Sequence, residues 1–190
     1  KNEQLTAAWN TGFRHAFRLD TDFIVAGNSD ILFSPDWWVA LQQASRIGYH
    51  LVGPMTNTPG NTKLQEIFRL IPTYVTDHSE AGIAKVSAAL RGWRNHVEPT
   101  PINGFFMWAK TADWKSGAYK ENFVFRPSNS HFNSGKRNPT PLMTGNEDEL
   151  QSRWGNKLKR KFGVACGSFI FHYRSVTRGI HYAKGRWSRK

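Results

Sequence analysis

The chain has 190 residues, 39% hydrophobic and 14% aromatic, which is enough apolar material for one folded domain rather than a disordered segment. A single cysteine excludes an internal disulfide framework and a cysteine-rich zinc site, and no apolar run reaches membrane-spanning length. We therefore expect a soluble protein of a reducing, cytoplasmic compartment, either free or peripheral to a membrane surface.

The net charge of +12 is concentrated at one end of the chain. Residues 151–190 contain eleven Lys or Arg and no Asp or Glu, so this segment carries +11 and residues 1–150 carry +1. Such a segment is typical of proteins with an anionic partner, either nucleic acid or a membrane surface. The alternative is the solvated basic face of a soluble protein.

The first part of the chain predicts a helix, a strand and a second helix. Residues 3–18 favour a helix, and residues 23–27 form a short apolar run typical of a buried strand. Residues 36–47 favour the next helix, with Ser34 as its N-cap and Pro35 at its first position.

The middle of the chain continues this alternation. Residues 49–55 predict a strand, and residues 56–61 have the composition of a loop. Residues 79–96 fit a helix and residues 102–109 fit another strand. The apolar positions that fall at helical spacing in the first of these are Ile83, Val86, Leu90, Trp93 and Val97.

The last part of the chain contains a polar segment, a helix and a strand. Residues 126–146 are rich in Ser, Asn, Pro and Gly and predict a loop. Residues 147–154 begin a helix, and residues 164–173 form a late strand. Alternating strands and helices indicate an α/β fold with a mostly parallel sheet, and we assign residues 1–190 to one domain.

The turn Asn28-Ser29-Asp30 lies between two apolar runs, directly after the first predicted strand. In an α/β sheet, ligands bind beyond the carboxyl ends of strands. A carboxylate at that position suits a hard cation such as Mg²⁺ or Mn²⁺, which uses oxygen ligands and substrate phosphates. The alternative is that Asp30 and Asn28 only make local turn bonds.

Six segments follow one another through most of the chain: AAWNTGFRHA, FIVAGNSDILFSPDWWVAL, LVGPMTN, INGFFMWAK, TGNEDELQSRW and FIFHYRSVTRG. In this order and spacing they resemble the family-2-like glycosyltransferases with a GT-A fold. The resemblance implies a GT-A-type, Rossmann-like mixed sheet, mostly parallel and flanked by helices. It also implies a hexosyltransferase-type enzyme that moves a sugar from a nucleotide-diphosphate donor to an acceptor hydroxyl, with inversion.

The resemblance assigns a metal site and a base. Asp30 matches the last acid of the family's DXD motif and His172 matches a late histidine ligand, so both would hold Mn²⁺ or Mg²⁺. Asn28 stands where the family often has Asp, and an amide is a weaker, uncharged ligand. Asp148, with Glu147 beside it, matches the catalytic base, although acids in a first helical turn also complement the helix dipole.

The resemblance also implies donor contacts, for which a UDP-sugar is the expected ligand. Asn10 and Gly12 belong to the Ala-x-Asn-x-Gly helix, and Ser29 lies in the metal turn. Arg174 and Arg178, just beyond the late histidine, would hold the diphosphate, whose growing negative charge needs cations.

Acceptor binding is expected at the strand of the INGFFMWAK segment. Asn103, Gly104 and Trp108 are the candidate residues there. The acceptor is expected to be a carbohydrate or another molecule that offers a hydroxyl.

The family's opening strand–helix units, which hold the nucleotide base, have no counterpart before residue 3. The resemblance therefore implies an N-terminally truncated sheet that lacks on the order of 60 residues. Three explanations compete: a truncated sequence, a second chain that supplies the units, and a shortened relative. We expect association through the apolar sheet edge that such a chain exposes.

Two functions of other classes compete with catalysis. The basic segment interleaves cations with aromatic residues, as in modules that bind nucleic acid through phosphates and stacking. A non-catalytic relative that kept the GT-A fold is the other alternative, favoured by Asn28 and by the missing units. The aromatic residues that are interleaved with cations in the basic segment are Trp154, Phe162, Tyr173, Tyr182 and Trp187.

Overall fold

The computed structural model describes residues 5–60, 62–121, 123–125 and 146–173. Helices and strands are interleaved along this part of the chain, although they do not alternate strictly. The α-helices are Leu5–Ala16 (α1), Trp37–Arg46 (α2), Glu80–Ala89 (α3), Thr111–Ser116 (α4) and Asn146–Leu158 (α5). The strands are Phe23–Gly27 (β1), Ile31–Phe33 (β2), Leu51–Met55 (β3), Val97–Pro99 (β4), Phe106–Lys110 (β5) and Phe162–His172 (β6).

The strands form one mixed sheet in the order β1-β5-β3-β6-β2, with β4 paired to the first half of β6. Only the β3–β6 pair is parallel among the described residues, and the pairs β1–β5, β3–β5, β4–β6 and β2–β6 are antiparallel. The fold is therefore α/β, as predicted, but the expectation of a mostly parallel sheet is wrong.

Among the described residues, the insertion of β5 between β1 and β3 accounts for two of the antiparallel pairs, and the short strands β2 and β4 account for the other two. Strand β5 is antiparallel to both β1 and β3, and β3 is parallel to β6, so β1, β3 and β6 all run in one direction. Strand–helix alternation correctly indicated that common direction. It did not indicate that an oppositely directed strand separates β1 from β3. As a consequence, the carboxyl ends of three strands and the amino end of β5 lie at one edge of the sheet.

Helices pack on both faces of this sheet. Alternate residues of β5 point to opposite faces, as the strand period requires. Trp108 packs with Leu41 and Ala44 of α2, whereas Met107 belongs to the core formed with α1, α3 and α5. The residues that these three helices contribute to the larger core include Phe13, Ile83, Val86, Leu150 and Trp154.

Three local predictions are corrected. Helix α3 ends at Ala89, followed by a 3₁₀ turn at Arg91–Trp93, so Val97 belongs to β4 rather than to a helix. Strand β5 begins at Phe106 rather than at residue 102. Ser34 does not cap α2, because its hydroxyl donates to the carbonyl of Phe169 at 2.6 Å.

The short elements β2, β4 and α4 were not predicted, since three to six residues give too little periodicity for a pattern. Residues 126–145 of the predicted loop lie outside the described residues, and Asn146 already begins α5. None of the helices in the described ranges has the length and apolar character needed to span a lipid bilayer.

Among the described residues, strand β1 pairs only with β5 and lies at one end of the strand order. A groove of about 210 Å³ runs between it and α1. Its walls are formed mainly by apolar residues of α1, with Gly12 among them, and by residues 24–27 of β1.

Candidate active site at the strand edge

The sheet edge formed by the carboxyl ends of β1, β3 and β6 and the amino end of β5 carries a concentration of polar residues. Ligands of α/β proteins bind at such an edge, where strand ends expose loop side chains. Several of the sequence-predicted residues therefore come together here. The polar and glycine residues at this edge are Asn28, Ser29, Asp30, Asn57, Thr58, Asn103, Gly104 and His172.

Asp30 and His172 meet at this edge. Strand β2 begins opposite the end of β6, with Ile31 paired to His172, and the Tyr173 amide donates to the Asp30 carbonyl at 2.9 Å. The Asp30 Oδ1 and His172 Nε2 atoms are consequently 3.5 Å apart. Both side chains are largely buried, at 15% and 6% exposed respectively.

The imidazole of His172 is held in one orientation. The backbone of His172 is fixed by the chain that follows β3. The Asn57 side chain accepts from the His172 amide at 2.8 Å and donates to the His172 carbonyl at 3.1 Å. The Thr58 hydroxyl donates to the same carbonyl at 2.9 Å. The Phe105 ring stacks on the imidazole with centroids 4.8 Å apart and planes 15° from parallel.

The surroundings of the two ring nitrogens of His172 differ. Nδ1 lies 3.4 Å from the carbonyl oxygen of Thr58, which can only accept, so this contact favours the tautomer with hydrogen on Nδ1. In the neutral ring Nε2 then presents a lone pair towards the Asp30 carboxylate. A proton or a cation between the two acceptors would stabilise this arrangement, and the Asn28 amide nitrogen is a further donor within reach of Nε2. In metal-bound histidines, the ring nitrogen that does not bind the metal commonly donates to a backbone carbonyl, as Nδ1 can here.

Asn28 lies beside this pair, and Ser29 is more peripheral. The Asn28 amide nitrogen lies 3.4 Å from His172 Nε2, and rotation of the amide by half a turn would present its oxygen instead. Its backbone amide donates to the carbonyl of Phe105 at 2.8 Å, which fixes the turn to the amino end of β5. Ser29 is exposed on the outer side of the turn.

The predicted base helix reaches the same edge through Gly104. A Cβ atom placed on Gly104 would lie 2.8 Å from Cδ and 2.9 Å from Cβ of Glu147, so the first turn of α5 packs directly on this glycine. Phe105, the next residue, stacks on His172. Glu147 and the Asp30–His172 pair thus lie on two sides of a two-residue segment. Asp148 is the exposed member of the acidic turn.

Two buried glutamines hold the backbone immediately before this two-residue segment. The Gln151 side chain of α5 both donates to the carbonyl and accepts from the amide of Ile102, each at 2.8 Å. Gln65 accepts from the amide of Asn103 at 2.6 Å and donates to the carbonyl of Pro54 at 3.0 Å. The Asn103 side chain is itself engaged, since its oxygen accepts from the Phe105 amide at 3.1 Å.

Some residues that were expected to contact the sugar donor or the acceptor substrate do not lie at this edge. Asn10 is buried and exchanges two hydrogen bonds of 2.9 Å with the backbone of Phe125, so it acts within the fold. Gly12 lines the α1–β1 groove. Trp108 is buried in the middle of β5 and donates to the Ser45 hydroxyl at 3.1 Å, so the structure does not bring it to the edge. Arg174 and Arg178 lie outside the described residues.

Sequence reasoning missed Asn57, Thr58, Phe105 and Gln151, which position the edge residues. Asn57 and Thr58 carried a usable signal, because they directly follow a predicted strand that runs parallel to β1. Phe105 and Gln151 had no such signal, since a stacked ring and a buried amide depend on the tertiary arrangement alone.

No protein-family model, curated protein or solved structure matches this chain. What the edge can do chemically therefore follows from its own geometry. It combines a carboxylate, an imidazole with an oriented Nε2, an amide and a nearby acidic helical turn.

Proposed function

We propose that this chain is a metal-dependent glycosyltransferase domain that transfers a sugar from a nucleoside-diphosphate donor to an acceptor hydroxyl. The observation that carries the proposal is the Asp30–His172 pair at the carboxyl edge of the sheet, with its 3.5 Å separation. Two ligands of one octahedral cation with bonds of ~2.1 Å lie about 3 Å apart, so a small movement would let both bind Mn²⁺ or Mg²⁺.

The metal would neutralise the charge that develops on the diphosphate leaving group. Asp30 and His172 would hold it, with Asn28 as a third, uncharged neighbour. A site with few protein ligands suits these cations, because they retain water and bind substrate phosphates at the remaining positions. Arg174 and Arg178, which follow His172 in sequence, are proposed to contact the same phosphates.

Glu147 and Asp148 would supply the base that takes the proton from the acceptor hydroxyl. Asp148 is the exposed residue of the two, whereas Glu147 packs on Gly104. The exposed carboxylate is therefore the better candidate for contact with an acceptor, and Glu147 the better candidate for positioning. Inversion at the anomeric carbon would follow from direct attack by the deprotonated hydroxyl.

Calorimetric titration with UDP and with GDP, with and without Mn²⁺, tests the proposal. We expect one nucleotide to bind only when Mn²⁺ is present, and Asp30→Asn to weaken that binding by about tenfold or more, as loss of a charged ligand should. Asp20→Asn is the matched control, because Asp20 is an exposed acid before the opposite end of β1. Equal binding by both variants would contradict the proposal.

A nucleic-acid-binding module is the second candidate, and the charge of +11 on residues 151–190 favours it. The described part of that segment offers less than its composition suggests. Arg153 bonds to the Val124 carbonyl and pairs with Glu149, while Arg160 pairs with Asp113. Trp154 is fully buried and cannot stack on a base. Salt-sensitive DNA binding that is indifferent to Asp30→Asn would favour this candidate.

A further inference from the structure

Three side chains with donor atoms typical of zinc ligands meet on the antiparallel pair β4–β6. His96, Glu98 and Cys166 each offer one ligand atom, and these atoms all lie within 4.8 Å of one another. Cys166 lies midway along β6, whereas His172 ends that strand. The cluster is therefore distinct in sequence and position from the strand-edge site.

Strand pairing explains why the three side chains converge. The Cys166 amide donates to the His96 carbonyl at 3.0 Å, and Glu98 lies opposite Val164 on β6. His96 and Cys166 are thus cross-strand neighbours, and such residues have Cβ atoms about 5 Å apart. His96 and Glu98 are two positions apart, so their side chains share one face of the pair.

A close approach of two backbones fixes this arrangement. The pairing of β6 with β3 shifts from Ala165 to Phe169, which leaves an irregular segment that contains Gly167. A Cβ atom on Gly167 would lie 2.5 Å from the Cα of Arg94, so only glycine allows β6 to pass the chain that leads into β4. That contact sets the position of Cys166 relative to His96.

We propose that His96, Glu98 and Cys166 form a zinc-binding site with three protein ligands and an open fourth position. The His96 Nε2 and Glu98 Oε1 atoms are 3.5 Å apart, close to the spacing of two ligands with bonds of ~2.1 Å around a tetrahedral ion. The thiol must approach by on the order of 1 Å for bonds of ~2.3 Å. The half-exposed ring of His96, which packs edge-on against Trp93 with centroids 5.5 Å apart, would supply most of this movement.

One neighbouring cation opposes metal binding. The Arg69 Nη2 atom lies 3.5 Å from the same Glu98 oxygen, and Arg69 is anchored by a 2.9 Å bond to the Leu64 carbonyl. Burial and the Glu98 carboxylate raise the pKa of the Cys166 thiol to about 11, so without metal the thiol is neutral. Zinc would displace its proton, as it does for other thiol ligands.

Cobalt(II) titration in the presence of a phosphine reductant tests the site in the intact chain. Because the chain has one cysteine, a sulfur-to-cobalt charge-transfer band reports this site alone. We expect a saturable band that zinc abolishes, affinity lowered by about tenfold or more in His96→Ala, and affinity raised severalfold in Arg69→Gln. His15→Ala, which removes an exposed helical histidine, should leave the affinity unchanged.

Two outcomes would overturn the proposal. One is the absence of the band at millimolar cobalt in folded protein, which would make Cys166 a core residue only. The other is equal cobalt affinity in His96→Ala and the parent chain, which would exclude the imidazole as a ligand. His96→Ala keeps the test independent of the buried Cys166, whose replacement could disturb folding.

Discussion

In two histidines the Nδ1 atom contacts a backbone group, an amide in one case and a carbonyl in the other. His50 Nδ1 accepts from the Lys161 amide at 3.2 Å, so that nitrogen must be unprotonated. His172 Nδ1 faces the Thr58 carbonyl, which favours the tautomer with hydrogen on that nitrogen. The first contact joins β3 to the start of β6 and is structural. The second leaves Nε2 facing Asp30 and defines the candidate site.

The contact of His50 predicts a pH dependence of stability. Burial lowers the pKa of His50, with smaller contributions from Arg160, Lys110 and Lys161, against the opposing effect of Asp113. The unfolded chain, with a usual histidine pKa of about 6.5, therefore takes up a proton before the folded chain does. The stability contributed by neutral His50 is full above this pH and is lost as the pH falls below it.

Urea denaturation at pH 7.5 and pH 5.5 measures this effect. His50→Asn keeps an acceptor near the Lys161 amide but cannot be protonated, so we expect it to lose less stability between the two conditions than the parent chain does. An identical loss in both proteins would show that His50 does not contribute. The other histidines are common to both proteins and cancel in the comparison.

At the scale of elements, the sequence predicted the helices and strands whose apolar residues are periodic. It missed the short elements and the contacts between elements that are distant in the sequence. The segments of β1, β3 and β6 are runs of apolar residues, and their common direction placed Asp30 and His172 at one edge. The position of β5 between β1 and β3 was not predictable, because no local pattern specifies which strand pairs with which. The bonds from Gln65 and Gln151 to the segment before β5 depend on that pairing.

The contact between α5 and the start of β5 predicts a cost for Gln151→Leu. This change leaves both the amide and the carbonyl of Ile102 without their bonds in a buried position. An unsatisfied buried group costs about 1–3 kcal/mol, so we expect a loss of about 2–4 kcal/mol in the free energy of unfolding. Ser152→Ala, on the exposed side of the same helix, should change it by under about 0.5 kcal/mol. Equal effects of the two variants in urea denaturation would contradict this assignment.

At the scale of the whole chain, the excess positive charge and the acidic residues of the candidate site lie in different segments of the sequence. The excess positive charge follows residue 150, while the acidic residues of the candidate site lie in the turn after β1 and in the first turn of α5. Under the proposed function, the basic segment would attract an anionic donor, and a cation held by Asp30 and His172 would bind that donor at the strand edge. The composition predicted the attraction for anions, but only the folded sheet shows which acids and which histidine meet.

Electron paramagnetic resonance of bound Mn²⁺ is the most direct test of the central claim, that Asp30 and His172 jointly hold a divalent cation. We expect one Mn²⁺ to bind, with nitrogen hyperfine coupling from the imidazole in pulsed spectra. The coupling should disappear in His172→Gln, and Asp30→Asn should weaken binding by about tenfold or more. Mn²⁺ binding that is unchanged in both variants, or that shows no nitrogen coupling in the parent chain, would contradict the account.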